Sequence, residues 1–282
     1  MSSVAAIMIV KDAIELDYCP VATIQTALQI GSLTKFLVNE GMSCDGTYEL
    51  LQTIHDPRLE VIRRPWVMDK SFWAIERNVL IEEAKKYAEY VLILDADEFL
   101  FEENLAEVDR FVTKPGAYLG MHFQYRHFFR IADGNTVDTM KVDYSSSWYQ
   151  SHAKLIHYSL NPYLAIVGDN ADNFLGTFQG QRIFLHTSNR IKKKTNVFVG
   201  HFGYARDAEA AGRKFKRNDE IYQNSTLYKN GFIPEAVDFE YQSYRDSNHL
   251  AEIDFNLPEA ALSWINAKHR KACFLTHHTN QV

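Results

Sequence analysis

Strand-like and helix-like segments alternate along the N-terminal third of the chain, and this alternation constrains the fold more than any other feature of the sequence. The run Val4–Val10 is apolar at every position, as expected of a strand that is covered on both faces. Further strands are predicted over 33–39, 59–63 and 90–94, and helices over 20–28, 48–54 and 72–88. The last helix has the predicted apolar face Phe72, Ile75, Val79, Leu80 and Tyr87. This order predicts a parallel sheet with helices on both faces.

The pattern changes near residue 116, where turn residues separate aromatic-rich, alternating segments. These segments predict a mainly antiparallel continuation of the sheet over 118–129, 154–157, 182–186 and 196–204. Helical patterns return over residues 206–228 and 258–271. The sequence has no internal repeat, low-complexity tract or clear linker. We therefore predict an α/β fold with a mixed, Rossmann-like sheet in one domain over residues 1–282.

Composition excludes several classes of protein. With 30 Lys and Arg against 36 Asp and Glu, the net charge is −6, which disfavours binding to nucleic acid or to anionic membranes. No apolar run approaches the roughly 18 residues of a transmembrane span. The apolar segment near the start lacks the preceding basic residues of a signal peptide. Because the three cysteines are far apart, they form no disulfide framework or zinc motif, and we expect a cytoplasmic protein.

The most informative segment is the acidic end of the fourth predicted strand. Asp95, Asp97 and Glu98 follow an apolar run, and ligands of open α/β sheets bind at this edge. Asp95 and Asp97 point to the same side of an extended chain. A divalent cation between them and a diphosphate would relieve their repulsion, and hard oxygen ligands suit Mg²⁺ or Mn²⁺. The alternative is a solvated acidic loop without a ligand.

Phosphoryl transfer is one chemistry that uses an Asp-x-Asp segment after a strand. In phosphatases of the haloacid dehalogenase type, the first Asp accepts the phosphoryl group and the second acts as acid and base. Their motif continues with a small residue and a hydroxyl and follows the first strand. Here Glu98 and Phe99 come next, after the fourth strand, which weakens the phosphatase interpretation.

Four motifs in the same order resemble glycosyltransferase family 2 and its relatives, which have the GT-A fold. Residues 7–12 resemble the opening strand, and residues 37–47 resemble the second strand with its Asp-Gly-Thr turn. Arg77-Asn78 resembles the Arg-Asn pair of the long helix, and residues 95–99 resemble the Asp-Ala-Asp-Glu-Phe variant of one branch. The resemblance implies metal-dependent transfer of a sugar, with inversion, from a UDP-sugar or similar donor to a glycan or other hydroxyl acceptor.

The resemblance also assigns roles to individual residues. It places the donor nucleotide against Asp12, Glu40, Asp45, Arg77, Asp95 and Arg206. Asp97 would bind the Mn²⁺ or Mg²⁺ ion. His201, in a segment similar to a His-Tyr-Gly-Tyr-x-Arg motif of this branch, would complete the metal shell, while Lys214 would help to balance phosphate charge.

Inverting transfer also needs a general base, usually a carboxylate, facing the anomeric carbon. Asp169 is the first candidate and Asp172 the second, although the His-Glu pair of the related branch is missing at this place. Trp66 and Trp148 are candidates for lining an acceptor groove. The departures from the family pattern at Asp12, at Glu40 and near Asp169 leave a non-catalytic nucleotide- or sugar-binding module as an alternative.

On this interpretation the single domain has three parts. Residues 1–115 form the nucleotide-sugar-binding half, residues 116–230 form the acceptor and metal half, and residues 231–282 form a C-terminal helical extension.

Overall fold

The computed structural model has an α/β architecture built around one large mixed sheet. It describes residues 2–68, 72–131, 139–143, 151–158, 165–166, 174–178, 181–184, 190–192, 195–206, 209–210, 212–214, 216–217, 250–251, 253 and 256–267. The α-helices bounded there are α1 (Pro20–Ala27), α2 (Thr47–Gln52), α3 (Phe72–Ala84) and α4 (Leu105–Thr113). The strands are β1 (Val4–Val10), β2 (Leu33–Glu40), β3 (Leu59–Arg63), β4 (Tyr90–Ile93), β5 (Glu98–Leu100), β6 (Gly120–Ile131), β7 (Thr139–Asp143), β8 (Ser151–His157), β9 (Ala165–Ile166), β10 (Phe174–Phe178), β11 (Gln181–Phe184), β12 (Ile191–Lys192), β13 (Phe198–Tyr204) and β14 (Leu250–Ala251).

The large sheet has the strand order β14-β7-β6-β8-β4-β1-β2-β3. Strand β1 pairs in parallel with β2 and β4, and β2 pairs in parallel with β3. From β4 onward, the pairs β4–β8, β8–β6, β6–β7 and β7–β14 are antiparallel. The prediction of a mixed sheet, parallel in the N-terminal half and more antiparallel in the C-terminal half, is confirmed.

Strands β12 and β13 are exceptions to the antiparallel trend. Both run parallel to β6, and β13 also pairs antiparallel with β5. A separate antiparallel sheet contains β11, β10 and β9. Through its two partners, β13 joins the segment after β4 to the antiparallel half of the large sheet.

Helices cover both faces of the parallel strands. The even-numbered residues of β1 pack in one apolar cluster with α1 and α4, and its odd-numbered residues pack in a second cluster with α3. All seven residues of β1 are therefore buried, which explains why its sequence is apolar throughout. Each large side chain buried in this way contributes roughly 1.5–3 kcal/mol.

Helix α3 differs from its prediction in the face that it buries. The expected face includes Ile75 and Tyr87, but both side chains are exposed, and the helix ends before Tyr87. In their place the helix buries Glu76 and Arg77. The predicted apolar face is confirmed for Phe72 and Leu80, which are buried, and wrong for Ile75 and Tyr87, because Glu76 and Arg77 are buried with partners inside the protein.

The partners of Glu76 lie on β2 and on the segment after β3. Asn39 Nδ2 donates to Glu76 Oε2 at 2.8 Å, and Arg64 Nε lies 3.6 Å from the same oxygen. Trp66 Nε1 in turn donates to Asn39 Oδ1 at 2.9 Å. This network satisfies a buried carboxylate, as buried charges require, and it fixes the position of the Trp66 ring.

The helical patterns of the C-terminal half are described only in part. Residues 209–210, 212–214, 216–217 and 259–267 are helical, and the rest of the two predicted helices lies outside the described residues. Among the helices that are described, none combines the length and the hydropathy needed to cross a membrane.

Candidate active site

A cavity of about 270 Å³ opens at the carboxyl ends of β1 and β4. These strands are neighbours in the sheet, whereas β2, which follows β1 in the chain, lies on the other side of β1. Such a change of strand order creates a crevice, and ligands of open α/β sheets bind there. Six of the predicted site residues line this cavity: Trp66, Arg77, Asp95, Asp97, His201 and Lys214.

Asp95 lies between two cationic side chains at the end of β4. Arg77 of α3 forms an ion pair with its carboxylate, and Lys154 Nζ of β8 lies 3.6 Å from Asp95 Oδ2. Burial opposes ionisation, but the charges of Arg77 and Lys154 outweigh it and lower the pKa of Asp95. The side chain is 32% exposed, so an ionised carboxylate faces the cavity.

Glu98 is the fully buried counterpart of Asp95. Lys154 Nζ donates to both of its carboxylate oxygens, at 2.9 and 3.0 Å, and the backbone N–H of Asp95 donates to Oε2 at 2.9 Å. Tyr125 also donates a hydrogen bond to it. Burial, reinforced by the charge of Asp95, raises the pKa of Glu98 to about 7. Through these hydrogen bonds, Glu98 fixes the positions of the Asp95 backbone and of the Lys154 ammonium group.

Asp97 has its own cationic partners, on the segment that follows β13. Arg206 forms an ion pair with its carboxylate, and Lys214 Nζ lies 3.6 Å from Oδ2. Burial alone would raise the pKa of Asp97, but Lys214 and Arg206 lower it below its usual range. Asp97 is thus an ionised carboxylate, and its side chain is 7% exposed.

His201 reaches Asp97 from β13. The antiparallel pairing of β13 with β5 places His201 opposite Glu98, and His201 Nε2 lies 3.7 Å from Asp97 Oδ2. Burial and the nearby cations lower the pKa of His201 to about 3, despite the attraction of Asp97. The imidazole is therefore neutral at physiological pH, the form that coordinates metal ions.

The lining of the cavity is richer in positive than in negative charge. Lys11, Arg77, Lys214 and Arg217 contribute four cationic groups, against the two carboxylates of Asp95 and Asp97. Lys11 Nζ donates to the carbonyl of Gly41 at 2.5 Å. An anionic ligand would be attracted to this cavity, and guanidinium and ammonium groups are the usual partners of phosphate.

One wall of the cavity is aromatic. Tyr18, Trp66, Phe72 and Trp73 all line it, and Phe72 packs against Trp73 with ring centroids 4.2 Å apart. Flat apolar surfaces of this kind bind the faces of nucleobases and sugars. The predicted aromatic residue Trp66 is therefore at the cavity, whereas Trp148 lies outside the described residues.

The remaining nucleotide-binding candidates lie around the cavity rather than in its lining. Asp12 follows the lining residue Lys11 in the chain, and its Oδ2 atom forms an ion pair with Arg217 Nη1 at 2.8 Å. Arg206, behind Asp97, donates to the Leu16 carbonyl at 3.2 Å. These contacts join the loop after β1 to Arg206 and to Arg217, which lines the cavity.

Glu40 and Asp45 stabilise the loops that flank the cavity. Glu40 is fully buried, accepts from the Ser43 N–H at 2.7 Å and lies 3.1 Å from Arg63 Nε. Asp45 Oδ2 accepts from the N–H groups of Ile14 and Glu15 at 2.9 and 2.8 Å. The predicted contact of Glu40 and Asp45 with a nucleotide stays a prediction, and their direct partners are backbone groups, Arg63 and the Thr47 hydroxyl.

Lys154 and His127 are two residues of this cluster to which the sequence analysis gives no role. Lys154 occupies a buried position in a central strand, where a charge needs a partner. A lysine inside a predicted buried strand is therefore the sequence feature that could have indicated a place for Lys154 in the site. His127 has no such signal, because its partner His201 is distant in sequence and meets it only through the β6–β13 pairing. The base candidates Asp169 and Asp172 lie outside the described residues.

Asp97 and His201 provide the kinds of donor atom that a divalent cation binds, and a cation there would share Asp97 Oδ2 with Arg206 and Lys214. An ionised carboxylate oxygen and a neutral imidazole nitrogen lie 3.7 Å apart at the cavity surface, and both are common ligands of Mn²⁺. In the described part of the chain, no cluster of three or more potential ligand side chains is found. The protein would therefore provide two ligands, and phosphate or water oxygens would complete the shell.

Comparisons with known proteins find similar solved structures but no sequence relatives. No protein-family model matches the chain, and no curated protein sequence matches it. S. aureus TarS 1–349 in complex with UDP is 12% identical over 80% of this chain and 73% of that chain, with a TM-score of 0.45.

Two further structures have comparable values. The UDP-GlcNAc complex of the same TarS fragment is 12% identical over 78% of this chain and 65% of that chain, with a TM-score of 0.46. GalNAc-T7 with UDP, GalNAc and Mn²⁺ is 10% identical over 71% of this chain and 44% of that chain, with a TM-score of 0.41. Identities and TM-scores this low transfer no function, so a functional assignment depends on the residues of the cavity.

Proposed function

We propose that this chain is a GT-A-type glycosyltransferase, similar to family 2, that transfers a sugar from a nucleotide-diphosphate sugar to an acceptor hydroxyl. One observation carries the proposal: a single cavity at the β1–β4 crevice combines Asp95 and Asp97 with four cationic side chains and an aromatic wall. These are the three surfaces that a nucleotide-diphosphate sugar requires. UDP is the proposed carrier, following the resemblance of the sequence to family 2.

The cationic side chains would act on the diphosphate. Lys214 lines the cavity beside Asp97, Arg217 lines it beside Asp12, and Arg77 lines it beside Asp95. Charges that are already in position when the bond to the leaving group breaks stabilise the negative charge that develops there. The aromatic wall around Trp66 would hold the nucleobase or the sugar face.

A divalent cation is part of the proposal. Asp97 and His201 would hold a Mn²⁺ or Mg²⁺ ion, which supplies positive charge to the leaving diphosphate when it is bound. Asp95, held by Arg77 and Lys154, would lie near the ribose and the diphosphate, as the family resemblance implies. Binding of the donor would then be stronger in the presence of the metal.

The transfer step itself needs a base. The acceptor oxygen bonds to the anomeric carbon as the bond from that carbon to the diphosphate oxygen breaks, and the acceptor proton passes to a carboxylate. Asp169, and after it Asp172, are the proposed bases. Attack from the face opposite the diphosphate gives inversion. The cytoplasmic location stays a prediction from the sequence.

Thermal unfolding with UDP, GDP and CDP, each with and without Mn²⁺, tests the binding part of the proposal. A ligand at about one hundred times its Kd adds roughly 2.7 kcal/mol of stability. We expect a rise of several degrees in Tm with one nucleotide, larger with Mn²⁺, because about 1 kcal/mol shifts Tm by roughly 2–4 °C at 150–250 residues. The same measurement on Asp97→Asn should show no rise in Tm that depends on Mn²⁺. Glu103→Gln, at an exposed acid that does not line the cavity, is its matched control.

Donor hydrolysis and transfer, followed with a panel of UDP-sugars, then test the reaction. Release of UDP that depends on Mn²⁺ and on the donor sugar supports a transferase. Nucleotide binding without release of UDP would indicate a non-catalytic module. Turnover of simple phosphate esters, with no effect of UDP on Tm, would overturn the proposal in favour of phosphoryl transfer.

A further inference from the structure

The imidazole of His201 is paired with a second histidine on the side away from Asp97. The parallel pairing of β6 with β13 places His127 directly beside His201. Their Nδ1 atoms are 2.9 Å apart, and the two rings are nearly perpendicular, at 87°. One of these two nitrogens must therefore carry the proton that the other accepts.

The surroundings hold both rings in this arrangement. Tyr125 stacks on His127, with centroids 5.3 Å apart, and its hydroxyl is anchored on Glu98. Gly203 lies against His201, because a Cβ atom at this glycine would be 2.1 Å from His201 Cε1 and 2.4 Å from Nε2. Any larger residue at position 203 would displace the His201 ring, so this glycine allows the close approach of His201 to the backbone of β13.

We propose that His127 is a positioning residue that accepts a hydrogen bond from His201 Nδ1 and thereby keeps the Nε2 lone pair of His201 directed at the cavity. A neutral imidazole carries one proton, so a proton on Nδ1 leaves Nε2 bare, and Nε2 is the atom that lies 3.7 Å from Asp97 Oδ2. In the opposite tautomer, Nε2 would carry the proton and could not bind a cation. The choice of His201 as the donor rests on the proposed function, in which Nε2 binds the cation.

Nitrogen-15 NMR of the metal-free protein tests the tautomer directly. The His201 resonances are assigned by their loss in His201→Gln. We expect a protonated Nδ1 and an unprotonated Nε2 at His201 in the wild type, and a shift toward the other tautomer in His127→Phe, which keeps a ring against Tyr125 but cannot accept the proton. A protonated Nε2 at His201 in the wild type would overturn the proposal.

Mn²⁺ affinity, measured by electron paramagnetic resonance in the presence of UDP, tests whether the hydrogen bond to His127 supports metal binding by His201. Removing the partner of a metal-binding histidine costs about 10- to 100-fold in metal affinity. We expect such a loss in His127→Phe and its recovery in His127→Asn, whose amide oxygen can accept from His201. His152→Phe, which alters another histidine against the same Tyr125 ring, is the control and should bind Mn²⁺ as the wild type does.

The outcomes separate this inference from the proposed function. If the wild type binds no Mn²⁺ with UDP, the metal part of the proposed function fails, and the NMR result still decides the tautomer. If the wild type binds Mn²⁺ and His127→Phe binds it equally well, the positioning role of His127 is overturned.

Discussion

Arg77 on helix α3 and Asp95 after β4 form an ion pair that connects the helix to the acidic segment lining the cavity. Arg77 is 3% exposed, and its guanidinium also lies over the Trp73 ring at 5.5 Å. The pair therefore has two consequences. It holds Asp95 ionised, and it gives α3 a buried polar face that its apolar pattern does not predict.

Replacing Arg77 should destabilise the protein. Arg77→Met keeps the volume of the side chain but leaves the Asp95 carboxylate with Lys154 as its remaining cation. We expect a loss of about 1.5–3 kcal/mol in the free energy of unfolding, measured by urea denaturation, because hydrogen bonds to charged groups have this value. The partly exposed position of Asp95 favours the lower end of that range.

The matched control is Arg58→Met. Arg58 pairs with Asp56 at 2.8 Å, but both side chains are partly exposed and close in sequence. A surface pair of this kind contributes about 0–1 kcal/mol. Equal losses in the two variants would contradict the assigned importance of the Arg77–Asp95 pair.

The parallel half of the sheet could be predicted because its strands are buried on both faces. This holds for β1 and β4, which are apolar and buried at every position, and β1 has the predicted bounds Val4–Val10. Edge strand β3 also has its predicted bounds, Leu59–Arg63, although it contains charged residues and is only partly buried. The same logic failed for α3, where Ile75 is exposed and Arg77 is buried. Hydrophobic patterns cannot detect a buried charge whose partner, Asp95, lies on another element.

The site was predictable where it follows a strand and unpredictable where it depends on strand pairing. Asp95 and Asp97 come directly after β4, so their position follows from the chain itself. Lys154 reaches the cluster because β8 pairs with β4, and His127 because β6 pairs with β13. These pairings join residues distant in sequence, and no local pattern encodes the register between them.

The lowered pKa of Asp45 leads us to predict that the stability of the protein depends on pH. Burial raises the pKa of Asp45, but hydrogen bonds from the Thr47 hydroxyl and from the backbone N–H groups of Glu15, Thr47 and Ile14 outweigh it and lower that pKa. A lowered pKa adds stability above the unfolded value of about 3.9, and this stability is lost as the pH falls through the folded value.

Asp45→Asn tests this dependence. We expect the variant to unfold about 1–2 kcal/mol more easily than the wild type at pH 7, because its amide accepts these hydrogen bonds less well. The difference should shrink below about pH 4, where the wild-type carboxylate becomes protonated. A difference that stays constant from pH 7 to pH 3 would show that ionisation of Asp45 does not contribute.

Asp97→Ala should abolish metal-dependent nucleotide binding, since the proposed cation loses its carboxylate ligand. Arg206 would also lose its buried partner in this variant. Asp97→Asn keeps the shape of the side chain and is the better test of binding alone. The measurement is titration calorimetry of UDP with and without Mn²⁺, after circular dichroism has established that the fold is intact. Unchanged Mn²⁺-dependent affinity in Asp97→Asn would remove Asp97 from the metal site.

Asp169→Asn should bind the donor as the wild type does and lose transfer, because an amide cannot take the acceptor proton. The loss should be at least about 100-fold in kcat, at the lower end of what acid–base catalysis contributes. Asp172→Asn serves as the parallel variant. If Asp172→Asn alone loses transfer, the base is Asp172, and if neither does, both assignments fail.

Lys214 should discriminate between a nucleotide and its nucleoside. Its ammonium group lines the cavity 3.6 Å from Asp97 Oδ2, where the diphosphate of a bound donor would lie. Lys214→Met should weaken UDP binding by about tenfold, equivalent to about 1.4 kcal/mol, and leave uridine binding unchanged. Lys216→Met is a matched control, because Lys216 is an exposed lysine of the same helical segment. Titration calorimetry of UDP and of uridine against both variants provides the measurement. Equal weakening by Lys214→Met and Lys216→Met would indicate a general effect of net charge, and equal losses for UDP and uridine would place Lys214 away from the diphosphate.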